Sequence, residues 1–514
     1  MRLSFTQYKD KVMGCWTGKN IGGVLGAPFE GKQIDNYQQD LSAGPPPNDD
    51  LDLQIVWLSA VEKYGRNVNA QILGEYWLSY VIPNWVEYGM GKANLRAGIV
   101  PPMSGVVDNV YKDSCGCFIR SEIWACLAPG HPEIAARYAY EDGIVDHGDE
   151  GVRGEIFFAA LESAAFVESC PDTLLDIALS YIPDDCAVAR AVQEARTCYR
   201  EGVDFWEARK RVHNLVPGTF GIQSCKISEI DPGEKDLELG APGFDAPENI
   251  AFAILGWLYG EGDFGKALCL AVGCGEDTDC SGASLGALLG ILYGASQIPE
   301  KWTNPLNDKI TTLCIDKTSR GVWVPDTVTQ LADRLMRITP FFLGISGCDL
   351  FAAGGYEVLY QKEALYCPGD EEYLPFINGG GKSKEIPVRQ LSSQSSHVVH
   401  YEAPAFQVLI DYGEDSVFFG GQTAKVIRVT VMDTGLMCQQ QWVKLKLYTP
   451  DHVMVEEGHT RLLPLNNLYQ SKAETSFTLL TDEYDASKLE CILDVSLEAR
   501  HSSLPIKITL MRRA

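Results

Sequence analysis

Positive charge is scarce in this chain. Against 69 acidic residues it has 43 lysines and arginines, for a formal net charge of −26. The cations are scattered, so no basic patch offers itself to DNA or RNA, whose phosphates such a field repels. Long hydrophobic runs are also lacking. The longest, around Leu285–Gly294, is too short to span a bilayer, and the polar start MRLSFTQYKD has no apolar signal-peptide core. The 16 cysteines do not make the framework of a small disulfide scaffold. Cys115-Gly-Cys117 has no second CxxC pair beside it, which argues against structural zinc. These absences predict a cytoplasmic protein with reduced thiols and no structural disulfides. They exclude nucleic acid and membrane as partners and leave the oligomeric state open.

What is present is ample core material and two acidic clusters. At 514 residues and 46% apolar content, two or more domains are expected. The stretch Gly273–Gly294 has a polar head, Glu276-Asp277-Thr278-Asp279, and a tail apolar apart from Ser284. As a helix the tail would be buried on all sides. One of the head acids would suffice as an N-cap; three within four residues repel one another unless a cation neutralises them. Carboxylate oxygens suit Mg²⁺, Ca²⁺ or Mn²⁺. Gly282-Ala-Ser284-Leu-Gly286 matches the nucleophile elbow in letters only, because no strand precedes Ser284.

Residues 8–26 read as a helix with Gly14, Gly18, Gly22 and Gly26 on one face. Glycine weakens a helix, so the stripe implies another backbone packed very close. The helix opens into Ala27-Pro28-Phe29-Glu30-Gly31. A rigid Gly44–Pro47 arm then delivers Asn48-Asp49-Asp50-Leu51-Asp52 to the start of a helix ending near Gly65, a second acidic cluster at a helix N-terminus. Two such clusters far apart in sequence fit a split metal site. Ser114–Ser121 is a small, glycine-centred loop containing Arg120, and Asp146–Gly151, with His147 between acids, leads into another helix. Helical spacing continues to about 345, with no sustained strand alternation before it. Residues 367–385 are rich in Gly, Pro and charge. After 396 the spacing becomes that of short strands, at Val408–Ile410, Val426–Val431, Trp442–Tyr448, Ser476–Leu479 and Ile506–Leu510, which suggests a β-sandwich.

Residues 8–340 resemble the ADP-ribosylglycohydrolase family. The resemblance is carried by the glycine-rich helix ending in Gly26–Glu30, by Asn48-Asp49-Asp50, by Cys115–Arg120 with His147-Gly148, and by Asp277-Thr278-Asp279 with Ile298–Trp302. It implies an all-α helical bundle with a dinuclear Mg²⁺ site, or Mn²⁺ in its place. The expected architecture is therefore multidomain, α and β: an all-α catalytic domain over 1–345, an irregular linker over 346–395 and a C-terminal β-sandwich over 396–514. The resemblance assigns the metal to Asn48, Asp49, Asp50, Asp277, Asp279 and Cys280, and catalysis to Glu30, Asp50 and Asp277. It assigns substrate contacts to Gly116, Cys117 and His147. Asn48 replaces a usual Ser or Thr, Glu276 a common glycine, and Cys280 a frequent liganding Thr. Sulfur is a poor partner for Mg²⁺, so the second ion is expected to be weakened, lost or changed.

The function this implies is metal-dependent hydrolysis of an ADP-ribosyl or related N- or O-ribosyl glycosidic bond, in a small molecule or an ADP-ribosylated partner. The alternatives are a glycoside or nucleoside hydrolase for a different small sugar, and a catalytically inactive ligand-binding relative. Four retained aspartates argue against the last.

Overall fold

The computed structural model describes residues 1–31, 49–216, 244–316, 321–369, 386–420, 424–434, 439–466, 471–482 and 484–513. The chain divides into two compact units. The first comprises Met1–Lys92, Asp108–Pro368 and Pro387–Ser393, and the second Ala93–Val107, Gly369–Ile386 and Gln394–Ala514.

The first unit is helical, and its organising contact is between two helices. The opening helix, Phe5–Gly26, starts at Ser4, whose hydroxyl accepts from Gln7 N while the Gln7 side chain accepts from Ser4 N, a reciprocal capping box. The closing helix, Thr278–Tyr293, starts at Asp277 and ends at Gly294, whose φ of 78° is open to glycine. They lie antiparallel with glycine against glycine. A Cβ on Gly14, Gly18 or Gly22 would overlap the carbonyl oxygen of Gly290, Gly286 or Gly282 respectively, and one on Gly26 would overlap that of Thr278. In the reverse direction a Cβ on Gly282 would stand 2.8 Å from the Gly22 carbonyl oxygen.

Polar contacts fix the two ends of this pair. Asp10 accepts from Ser296 N at 2.9 Å and from its hydroxyl at 2.8 Å, and Lys11 Nζ donates to Ile291 O at 2.8 Å. At the other end Thr278 Oγ1 donates to Gly26 O at 2.8 Å. Around the pair pack helices that include Asp52–Tyr64, Asp149–Ala165 and Ala246–Tyr259, with Trp16, Trp57 and Phe157 fully buried.

Two expectations are corrected here. The first unit is not purely α: Arg2–Leu3, Glu357–Leu359 and Cys348–Asp349 form a small antiparallel sheet. Strands of two or three residues are too short to reveal a period of two. Described residues 346–368 and 387–393, assigned by composition to a linker, belong to this unit. Most of the Gly- and Pro-rich stretch 367–385 lies outside the described residues. The 14 described cysteines are free, and among the described residues no helix is long and apolar enough to cross a membrane.

The second unit is β-rich, with two five-stranded sheets. One runs Thr460–Leu465, Gln441–Tyr448, Lys488–Leu497, Ser503–Arg512, Phe418–Phe419, antiparallel except for the last pair. The other runs Val398–Ala403, Phe406–Asp411, Lys425–Asp433, Lys472–Leu480, Met454–Val455, antiparallel throughout. Alternate residues such as Ile427, Val429 and Val431 are buried, as the period-two pattern requires. Both sheets feed one apolar cluster, which also takes in Ile99, Met103 and Val107.

Gly18→Ala tests the helix contact, because two effects oppose. Alanine gains about 1 kcal/mol of helix propensity, whereas overpacking against rigid backbone costs about 1–3 kcal/mol or more. The overlap with Gly286 O should win, and the thermal midpoint of Gly18→Ala should fall by several degrees. A stabilised variant would remove the backbone contact from the fold.

Candidate metal and active site

The antiparallel glycine contact carries the end of the opening helix to the start of the closing one. Gly31 N donates to Glu276 O at 2.7 Å, stitching the Glu30 loop to the acidic turn. Asp277 caps the closing helix through Cys280 N at 3.4 Å, and its own N–H donates to Asn249 Oδ1 at 2.9 Å. Asp279 Oδ1 also accepts from Cys280 N, at 3.0 Å. One ligand atom each from Asp277, Asp279 and Cys280 lie within 4.8 Å of one another, an arrangement able to hold a metal ion.

The second acidic cluster comes to the same place. Asp50 is buried at the entrance to the Asp52–Tyr64 helix, and Asp49 beside it accepts from Tyr88 Oη at 3.4 Å. Burial, then Glu30 and Asp50, push Asp277 up to about 7. Asp279 is pushed well above its ordinary value by burial, then by Asp277, Glu30 and Asp49. Asp49 is raised by burial against the opposing pull of its own backbone, Tyr88 and Lys19. Glu30 stands exposed at the rim, yet partial desolvation and then Asp49 raise its carboxyl too. The five carboxyls Glu30, Asp49, Asp50, Asp277 and Asp279 thus share one field. Their oxygens fit a hard divalent cation, which would relieve the repulsion. Cys280 fits less well: burial, Asp277, Asp50 and Asp279 drive its thiol well above the ordinary value, so it is neutral among the acids. Asn48 lies outside the described residues.

The substrate-loop residues divide. A Cβ on Gly116 would overlap Glu87 Oε1 and meet Tyr88 Cε1 at 3.3 Å, so this glycine abuts the tyrosine that reaches Asp49. Cys117 instead donates to Glu155 Oε2 at 2.9 Å, in a buried ionic network around Arg120. Arg120 reaches both oxygens of Asp146, at 3.1 and 2.8 Å, and lies over the Trp77 ring at 5.3 Å. His147 is fully buried, with Nδ1 3.0 Å from Asp146 Oδ1 and Nε2 2.8 Å from Ser114 Oγ. Arg120 and His147 thereby anchor the loop from behind. Cys115, not Cys117, feels Asp277, whose charge adds to burial in driving that thiol well above its ordinary value.

Several residues of the site went unread in the sequence. Lys19 is wholly buried on the opening helix and pairs with Glu122 at 2.8 Å. Burial opposes its charge, but Glu122 and then Asp50 hold its pKa up. A lysine one position after a stripe glycine, amid residues expected to be buried, was the available signal. Asp52 is spent on structure, its Oδ2 accepting from Leu313 N at 2.6 Å and Cys314 N at 2.5 Å. Tyr88, Asn249 and Cys314 had no local signal.

The family model for ADP-ribosylglycohydrolase matches residues 5–340. The chain belongs to the ADP-ribosylglycohydrolase family. An uncharacterized protein of Archaeoglobus fulgidus is 23% identical over 322 residues, 59% of this chain and 93% of the relative. The family is one of hydrolases, and the matched span contains both acidic clusters and Glu30.

The raised carboxyls of this ADP-ribosylglycohydrolase family member have a pH signature. Asp277 titrates near 3.8 when free and about 7 in the fold. Its contribution to stability is therefore complete below pH 3.8, is lost as pH rises, and is fully lost above about 7. In EDTA the thermal midpoint should fall between pH 5 and pH 7.5, and Asp277→Asn should flatten that fall. Saturating Mg²⁺ or Mn²⁺ should restore the midpoint at pH 7.5 by mass action. A wild-type profile matching that of Asp277→Asn would refute the shared field.

Proposed function

We propose that the protein is a metal-dependent hydrolase of an ADP-ribosyl or closely related N- or O-ribosyl glycosidic bond. The observation that carries this reading is the convergence of Asp49 and Asp50 with Asp277 and Asp279 around one electrostatic field, with Glu30 at its rim. Asp49, Asp50, Asp277 and Asp279 are the residues that would hold Mg²⁺, or Mn²⁺ in its place, with Cys280 the weak member of the set. A bound ion would supply Lewis acidity toward ribose hydroxyls and water.

The chain's own groups supply the rest. Breaking the anomeric bond builds positive charge on the sugar ring, and a negative rim stabilises it. Asp50 and Asp277 would orient an attacking water. Glu30, exposed and with a raised pKa, would hold or move a proton at the anomeric centre. Gly116 lets Glu87 and Tyr88 pack against the loop backbone beside the acid cluster. We read the substrate as a small molecule or an ADP-ribosylated partner, handled in the cytoplasm away from nucleic acid and membrane. The two sheets of the second unit we read as the layers of a β-sandwich.

The test is a substrate panel of ADP-ribosylated protein, free ADP-ribose conjugates, nucleosides and aryl glycosides, with Mg²⁺ and with Mn²⁺. Turnover of an ADP-ribosyl or ribosyl linkage is expected, abolished by EDTA and by Asp277→Asn. On the substrate so found, Glu30→Gln should lose about a hundredfold in kcat, the scale of general acid–base groups. Its metal affinity should be nearly unchanged. Turnover confined to non-ribosyl glycosides would replace this reading with the glycosidase one, and near-normal kcat in Glu30→Gln would move the proton chemistry to the aspartates.

A further inference from the structure

Immediately before Asp277 the chain makes a second titratable cluster that the reaction above does not use. His213, on the Phe205–Leu215 helix, Glu248, on the Ala246–Tyr259 helix, and Glu276 each present a ligand atom, all within 4.8 Å of one another. All three side chains are buried, at 2%, 1% and 1% exposure. His213 Nδ1 contacts Glu248 Oε1 directly, while Glu248 Oε2 is buried with no hydrogen-bond partner.

We propose that His213, Glu248 and Glu276 form a structural site for a divalent first-row transition ion, separate from the aspartate cluster. The donor set, one imidazole nitrogen and two carboxylates, favours Zn²⁺ or Mn²⁺ over the all-oxygen ions. Glu248 Oε2 has no other hydrogen-bond compensation among the described residues. Arg209 is the nearby cation, but its Nε is committed to Cys274 O at 2.7 Å and its guanidinium lies over the Phe252 ring at 4.9 Å. Its Nη2 reaches Glu276 Oε1 only at 3.5 Å. A dry interior makes an undersatisfied carboxylate expensive, and Glu248 Oε2 is an open acceptor facing such a place. A bound ion would join two helices to the turn that carries Asp277. The competing description is a histidine–carboxylate hydrogen bond with no metal.

The experiment uses the full chain in an Asp277→Asn/Asp279→Asn background, so it is independent of the glycosidic reading and of the aspartate site. The protein is loaded with Zn²⁺ or Mn²⁺ separately, dialysed, and its metal content measured. About one ion per chain should remain, and adding His213→Gln or Glu248→Gln should weaken binding at least tenfold. No retained ion, or the same retention in both added variants, overturns the proposal and leaves the histidine–carboxylate hydrogen bond only. Because either added variant could fail to fold, the unmodified cluster is also probed with Co²⁺ by X-ray absorption. One imidazole nitrogen in the shell supports the site, and an all-oxygen shell or no bound Co²⁺ refutes it.

Discussion

The contact that everything else in the first unit depends on is backbone against backbone. Glycines at four-residue spacing on two helices let the chains approach until a methyl group has no room. That closeness sets both separation and register, because each glycine faces one particular carbonyl. The functional result is remote from the glycines themselves. The end of one helix and the start of the other must coincide, and there the Glu30 loop bonds to Glu276 and Thr278 bonds to Gly26. A site assembled from residues more than two hundred positions apart is thereby held by a contact made almost entirely without side chains.

A cluster of carboxylates imposes a different constraint. The fold spends burial and hydrogen bonding to hold groups that repel one another, and part of the compensation is internal. Lys19 brings a buried positive charge to Glu122 and Asp50 from the same helix that carries the glycine stripe. Arg120 performs a comparable role behind the Gly116 loop, where Asp146 and the Trp77 ring surround it. The acid cluster is thus the outer layer of a deeper ionic structure. Its inner layer sets where the outer carboxylates stand, while Glu30 raises the pKa values of both Asp277 and Asp279.

Much of this was legible in sequence because its signals are local and periodic. A four-residue glycine repeat has few uses in a helix besides close packing. Acids crowded before helical spacing mark an N-terminal cluster, and the period-two strands after residue 396 announced themselves one by one. Signals that depend on pairing across the chain were not legible. Nothing near Asp52 says that it bonds to Leu313 and Cys314 while its neighbour Asp50 joins the acid field. Cys115 and Cys117 look equivalent, yet one thiol is raised by Asp277 and the other bonds to Glu155. His147 between acids reads as a surface or ligand-facing residue until Ser114 and Asp146 are seen to enclose it.

The path of the chain between the two units has a practical side. Residues 93–107 belong to the β-rich unit, although residues on both sides of them belong to the helical one. Ile99, Met103 and Val107 are part of the apolar cluster under the two sheets. The β-rich unit is therefore not an appendage that a stop codon near 345 would cleanly delete. Such a cut would strip those three side chains of their companions and leave a greasy segment in the middle of the remaining protein. Gene dissection and domain grafting have to treat the 93–107 excursion and the C-terminal strands as one piece.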